Sequence, residues 1–379
     1  MSWPLVKLGD VVDIKGGGTP SKSNPEFWDG DIPWASVKDF KSSSLKETAD
    51  YITNLGVEKS ATNVIPAGNV IVPTRMALGK VAINEVDMAI NQDLKALLVN
   101  DEKTLSKLYL MRFLESKAAF IDEQGKGATV KGITLDVLRN LEIPLPPLPE
   151  QKRIAAILDK ADTIRRKRQQ AIQLADDFLR AVFLDMFGDP VTNPKGWPKK
   201  ALKLLGKSAT GRTPPSEKAG MWGEGLPFVT PGDLSGRVDS SVREVTQEGA
   251  EHSKVCRTGS LLVCCIGATI GKVGIAGCPV AFNQQINAQE WGAETSDAYG
   301  FFVFKLFPEL VRERAIQTTL PILKKSLFDE IEIPVPTKDL QEKFAAIAQK
   351  ITSFSARHES GVEMPIFESL SQLAFSEQL

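Results

Sequence analysis

Histidine occurs only twice in these 379 residues, tyrosine three times and cysteine four times. Catalysis that depends on an imidazole is therefore thinly provided for. His252 with Cys256 could share a metal, but no second pair stands at useful spacing, and both histidines read as incidental. Cys256, Cys264, Cys265 and Cys278 lack the paired C-x-x-C spacing of a zinc site and are too few for a disulfide scaffold. They read as small core residues in a reducing compartment, so a cytoplasmic protein is expected. No apolar run approaches the ~20 residues needed to cross a bilayer. The first residues lack the charged-then-apolar layout of a signal peptide. Charge of one sign is also missing. A formal net charge of -1 excludes a protein that coats nucleic acid by charge alone, though not one with local basic loops.

Motifs for group transfer are absent as well. Asp189-Pro190-Val191 and Asn193-Pro194-Lys195 lack the second proline and the aromatic that grip a flipped adenine. Gly16-Gly17-Gly18 leads into Thr19-Pro20 rather than a helix, which fits a turn and neither a P-loop nor a dinucleotide fingerprint. No ordered acidic pair with a nearby lysine marks a nuclease. What remains is a chain 42% hydrophobic and 25% charged, a globular composition at a length suited to two or three domains.

The chain is written twice. Trp3-Pro4 returns as Trp197-Pro198, Gly18-Thr19-Pro20 as Arg212-Thr213-Pro214, and Trp28, Pro33 and Asp39 as Trp222, Pro227 and Asp233. Gly79-Lys80-Val81 returns as Gly271-Lys272-Val273, and Asn91-Gln92 as Asn283-Gln284. Glu142-Ile143-Pro144-Leu145-Pro146 returns as Glu332-Ile333-Pro334-Val335-Pro336, with Gln151 and Gln341 following. The offset falls from 194 through 192 to 190, as short loop deletions produce. A period of this size means two whole domain-plus-helix units, not a solenoid.

Each unit opens with strand-rich, mixed structure: β-branched runs such as Val70-Ile71-Val72 and Leu261-Leu262-Val263 lie between Gly, Pro, Asn and Asp. A helix follows. Pro144, Pro146, Pro147 and Pro149 form a stiff lead-in, and from Gln151 a heptad runs with Ile154, Ala161, Ala175 and Val182 in one position. Ile157, Ile164, Ala171 and Phe178 fill the other, leaving Leu158, Ile172 and Leu179 off the seam for partner helices. The second copy begins alike with Phe344, Ile347, Ile351 and Phe354, then loosens at His358 and Gly361. Matched seams predict an antiparallel coiled coil; each helix packing on its own domain is the alternative. A helix over 151–187 would span roughly 55 Å.

With these motifs in this order, the chain resembles the specificity subunit of a type I restriction–modification complex. The resemblance covers nearly the whole length. It rests on the Gly-Thr-Pro turn with Trp28 and Ile32-Pro33-Trp34, the Gly-Lys-Val and Asn-Gln blocks, and the proline-rich start of the helix. The run from Phe187-Gly188-Asp189-Pro190 to Trp197-Pro198 carries it too. It implies an α/β (mixed α+β) fold: two target-recognition domains in tandem, at 1–149 and 191–337, separated by spacer helices at 150–190 and 338–379. It further implies a non-catalytic subunit that binds double-stranded DNA at a split site. Two methyltransferase subunits, and restriction–translocase subunits through them, would dock on it. It would hold no cofactor, S-adenosylmethionine, ATP and magnesium belonging to those partners. The second copy departs at Thr337-Lys338-Asp339-Leu340, where the proline run is missing.

Base edges are reached by side chains, while Ser, Thr, Lys, Arg and backbone amides hold phosphates. In the first unit the candidates are Lys15, Thr19, Ser21, Lys22, Ser36, Lys38 and Arg75, with Lys126, Thr129 and Lys131 of a small basic loop. Their counterparts are Arg212, Thr213, Ser216, Lys218, Thr230, Thr318, Thr319, Lys324 and Lys325. Arg75, at a strand end, is the type that forks onto guanine. The copies differ most at 41–63 and 234–254, which predicts an asymmetric target. Arg165-Arg166-Lys167-Arg168 reads as a solvated helical face, a contact to spacer phosphates, or a contact to an acidic partner patch. Two other functions stay open from the residues alone: a self-contained DNA-acting enzyme with an unrecognised motif, and a coiled-coil protein-interaction scaffold.

Overall fold

A computed structural model describes residues 3–127, 130–316, 320–359, 370 and 373–375, with backbone only for 354–359. The chain forms two compact units, 1–169 with 361–379, and 170–360.

In the first unit a five-stranded sheet runs Val12–Gly16, Leu94–Val99, Val70–Pro73, Ala82–Asn84, Ser44–Leu45. A four-stranded sheet runs Asp50–Ile52, Trp28–Ala35, Met88–Ile90, Val64–Ile65, and Leu5–Lys7 pairs with Glu142–Pro144. The second unit repeats every step of this topology. Its five strands are Gly206–Thr210, Ile286–Trp291, Leu261–Cys264, Val273–Ala276 and Gly236–Val238. Its four are Glu244–Val245, Trp222–Val229, Val280–Phe282 and Val255–Cys256, and Lys199–Ala201 pairs with Glu332–Pro334. The divergent stretches 41–63 and 234–254 fold alike, each closing on a short helix capped by a threonine. Thr53 Oγ1 accepts from Gly56 N and Thr246 Oγ1 from Gly249 N, both at 3.1 Å.

The β-branched runs form inner strands because both of their faces are covered: every residue of Val70–Pro73 and of Leu261–Cys264 is buried. On one side lies a helix rich in large apolar residues, Lys107–Ser116 in the first unit and Asp297–Leu306 in the second. Its tyrosine is pinned identically: Tyr109 donates to Pro144 O at 2.8 Å and Tyr299 to Pro334 O at 2.9 Å. A glutamine at each spacer-helix start does the same. Gln151, fully buried, accepts from Ser106 N and donates to Thr104 O and Pro146 O; Gln341 accepts from Ser296 N and donates to Glu294 O and Pro336 O. These bonds fix where the helix leaves the domain.

The long helix is Leu148–Phe187, and the second is Lys338–Glu359. Pro149 sits in the first turn, where its missing donor has no partner to lose. The heptad expectation needs correcting. Leu158 and Leu179, placed off the seam, are buried in the domain cores, while Ile164 and Phe178, placed in it, are 43% and 56% exposed. Ile154, Ala155 and Leu158 pack into the first unit's core; Leu179, Phe183 and Phe187 pack into the second's. At its two ends that spacing is the stripe of an amphipathic helix lying on a domain. Ile157 and Ala161 are half-buried, and Ile347 is exposed. Phe344 is a core residue with Ile351 packed against its cluster, and the side chain of Phe354 lies outside the described residues.

The helices do meet, through aromatic rings: Phe183 and Phe187 each lie 5.4 Å from Phe344. In the first unit Phe375 stands against Tyr109 at 5.4 Å and Phe113 at 5.5 Å, as Phe183 and Phe187 stand against Tyr299 at 5.8 and 4.9 Å. The chain's last described residues thus close the first core as the end of the long helix closes the second. Charge adds to the hold in the first unit. Arg112, with 1% of its side chain exposed, reaches Glu115 at 2.7 Å, Asp159 at 2.6 Å and Asp162 at 3.6 Å. Burial pushes the Glu115 carboxyl up despite the guanidinium beside it. Arg165 and Arg166 of the basic run pair with Asp162 at 2.7 and 3.1 Å, so these two residues serve their own helix.

Candidate nucleic-acid interface

The surface begins where the glycine-rich turn crosses the end of a strand. A Cβ on Gly17 would lie 1.9 Å from Ile90 O, and one on Gly211 would lie 2.1 Å from Asn283 O, so only glycine passes there. Gly18 N bonds Ile90 O at 3.0 Å, and Arg212 N bonds Phe282 O at 2.9 Å. The following threonine then locks onto the Asn-Gln block. Thr19 Oγ1 donates to Gln92 Oε1, and Thr213 Oγ1 donates to Gln284 Oε1 at 2.6 Å. In both places the amide keeps its Nε2 donors for another acceptor.

The strand carrying Trp34 runs parallel to Met88–Ile90 and ends beside this lock, since Asn91 N bonds Ala35 O at 2.9 Å. The second unit has Asn283 N on Val229 O at 3.1 Å. Immediately after that strand Ser36 N and Oγ both donate to Asp39 Oδ2, at 2.8 and 3.0 Å; Thr230 repeats this with Asp233 at 2.8 and 2.7 Å. The lysine of each Gly-Lys-Val block braces the loop. Lys80 Nζ donates to Phe40 O and Lys272 Nζ to Pro231 O, both at 3.0 Å. The glycine before it turns with φ of +81° at Gly79 and +84° at Gly271.

Beyond the lock comes a small hairpin. Lys126 and Gly132 form an antiparallel bridge, Arg75 bridges Gly132, and Met76 N bonds Lys131 O at 3.0 Å. The second unit repeats it with Ile316, Ile322, Ile266, and Gly267 N on Pro321 O at 3.0 Å. The structure therefore joins Thr19, Gln92, Arg75, Lys126 and Lys131 into one continuous surface, with Lys95 donating to Gln92 O at 2.7 Å. Burial holds the Lys95 amine below the usual lysine range; Asp93 opposes the shift and Arg75 adds to it.

The other sequence candidates divide. Lys15, Ser21, Lys22 and Lys38 are exposed on neighbouring loops and strands, as are Arg212 and Ser216. Ser36 is 8% exposed and serves as an internal cap, and Thr230 makes the same cap bonds. Lys218 is held by Glu248 at 2.8 Å, and Lys131 by Asp122 at 2.7 Å. Lys325 is tied to Asp329 and Ser208, at the start of a helix that Lys324 precedes. Thr129, Thr318 and Thr319 lie outside the described residues. Sequence reasoning missed Gln92, Gln284 and Asp93. The Asn-Gln repeat signalled the first two as a marker of duplication, but not as partners of a threonine some seventy residues earlier.

Among the described residues no group of three His, Cys, Asp or Glu could hold a metal ion, and no helix is long and apolar enough to cross a membrane. The model of the type I restriction modification DNA specificity domain matches the chain twice, over 2–174 and 194–361. The chain belongs to this family. It is 23% identical to the type I restriction enzyme MjaIX specificity subunit of Methanocaldococcus jannaschii, across 92% of this chain and 86% of that one. It is 38% identical to the EcoR124I/EcoR124II specificity subunit of Escherichia coli, over 41% of this chain and 40% of that one. The crystal structure of the type I restriction–modification S subunit from M. genitalium shares the fold, with TM-score 0.64 at 18% identity, covering 98% and 96%. The chain is thus a type I specificity subunit with two tandem specificity domains of mixed α/β structure and a long connecting helix.

Proposed function

We propose that the chain reads a bipartite, asymmetric site on double-stranded DNA, one half-site per unit, without a catalytic site or cofactor of its own. It docks two methyltransferase subunits and, through them, restriction subunits, in the cytoplasm. S-adenosylmethionine, ATP and magnesium belong to those partners. The observation that carries this reading is one frame built twice with different side chains on it. The Thr19–Gln92 and Thr213–Gln284 locks, the Asp39 and Asp233 caps and the two hairpins match bond for bond, while the exposed residues around them differ. Equal frames place the recognition surfaces equivalently on DNA, and unequal side chains read unequal sequences. Exposed Ile164, Leu174 and Phe178 on the long helix supply apolar surface for partner helices.

The test is co-expression with a partner methyltransferase in a methylation-free host, followed by mapping of modified adenines. A split, non-palindromic motif that vanishes when this chain is omitted is the expected result. Two half-sites that are inverted copies would sink the asymmetry. No methylation alongside a demonstrably active partner would sink the recognition role and favour a scaffold.

A further inference from the structure

The described residues at the bases of the two hairpins align, and the alignment exposes a substitution of chemistry. Thr74 N bonds Asp93 O at 2.7 Å and Cys265 N bonds Gln285 O at 2.8 Å; Ile133 N bonds Thr74 O at 2.9 Å and Leu323 N bonds Cys265 O at 2.8 Å. With the bridges of Arg75 to Gly132 and Ile266 to Ile322, these bonds equate Arg75 with Ile266 and Asp93 with Gln285. In the first unit the position carries a guanidinium, 62% exposed, with a nearly buried carboxylate 3.6 Å behind it. Lys126 flanks it on the hairpin. In the second unit the same frame carries Ile266, and the hairpin exposes apolar surface instead, with Ile316 44%, Leu320 52% and Ile322 36% exposed.

Each arrangement suits a different base pair. A guanidinium oriented from behind by a carboxylate presents two parallel N–H donors, the match for guanine O6 and N7. An aliphatic surface offers no donor and favours the C5 methyl of thymine. The backbone is also shaped for this edge. Met76, next to Arg75, is 64% exposed and holds a left-handed φ of +66°, where the second unit has Gly267 at +103°. A non-glycine residue kept there in solvent gains nothing from packing.

We propose that this position decides which base pair each unit reads: Arg75, oriented by Asp93, takes a guanine in the first unit's half-site, and Ile266 with Leu320 takes a thymine methyl in the second's. The proposal rests on both units reading DNA.

The experiment exchanges the pairs in the full chain, co-expressed with its methyltransferase, and maps the methylated motif. Arg75→Ile with Asp93→Gln is expected to lose one G·C requirement in one half-site, by roughly tenfold or more in preference, and to leave the other half intact. Ile266→Arg with Gln285→Asp is expected to replace an A·T pair by G·C in the other half. Arg75→Gln and Arg75→Ala, single changes at an exposed side chain, serve where a double variant fails to fold. The purified complex is then titrated with duplexes varied at the mapped position, and both variants should lose the guanine preference. A motif unchanged in every folded variant, or a uniform fall at all sequences, would each overturn the assignment, the latter marking a phosphate contact. A wild-type chain that directs no split motif would overturn the recognition reading, and this assignment with it.

Discussion

Thr213 donates its hydroxyl to Gln284 at 2.6 Å, bridging two motifs that are far apart in the chain and adjacent on the surface. Thr19 makes the same bond to Gln92. The pair staples a glycine-tight turn to the end of a strand, and so sets the height of everything mounted beside it.

Thr213→Val and Gln284→Ala should each destabilise the second unit modestly, and the double variant should cost less than the two together. The coupling expected in a urea-melt double-mutant cycle is about 1 kcal/mol. Strict additivity would mean the bond contributes nothing.

Gly17→Ala should be far more damaging than its size suggests. The new Cβ would lie 1.9 Å from Ile90 O, against backbone that cannot rotate away. A loss of roughly 1–3 kcal/mol or more is expected, seen as a lowered denaturation midpoint. Gly68→Ala has open space around it, but its φ of +80° confines the cost to local strain of about 1 kcal/mol.

Gln151→Leu and Gln341→Leu each remove three hydrogen bonds between a fully buried side chain and the backbone, one of them to a buried carbonyl. Each should cost about 1–3 kcal/mol, because the buried carbonyl of Pro146 or Pro336 is left without a partner while the outer groups regain water. As the residues sit in separate units, the double variant should show the sum of the two losses. A loss confined to one variant would show that the locks are not equivalent.

Much of this was legible in the sequence. The duplication, the β-branched strands, the lead-in prolines and the marker glutamines all come from local pattern, and the fold has each where the pattern puts it. The heptad misplaced Leu158 and Leu179 because the domain under each end of the helix buries them. Phe375 could not be assigned to the first unit either. Its partners Tyr109 and Phe113 lie more than 250 residues upstream, and nothing in its own neighbourhood names them. The candidate recognition surface fell between these cases. Exposed lysines and Arg75 were visible as types, but Ser36 and Thr230, which look like surface hydroxyls, are taken up by Asp39 and Asp233.

The four cysteines should separate by reactivity at pH 8. Burial pushes the Cys256 thiol up to about 11 and the Cys265 thiol up to about 12, so both keep their protons there, and reactive thiolate would form only as pH approaches those values. Cys264 is buried as well, whereas Cys278 is partly exposed. A disulfide-exchange reagent should therefore modify one thiol per native chain quickly and four after denaturation. Rapid modification of two or more would contradict the packing of the second core.

The aromatic contact of Phe183 and Phe187 with Tyr299 and Phe344 also decides how the protein can be taken apart. A fragment cut at 191–337, the limits that the sequence alone suggests for the second domain, leaves behind Leu179, Phe183, Phe187 and Phe344, and with them the covering of its own core. Such a piece would carry a raw apolar slot along Tyr299 and Phe307 and would be expected to clump. One that begins ahead of Leu179 and runs past Ile351 keeps the slot filled. Anyone grafting or minimising these recognition bodies has to move them with both stubs of helix attached.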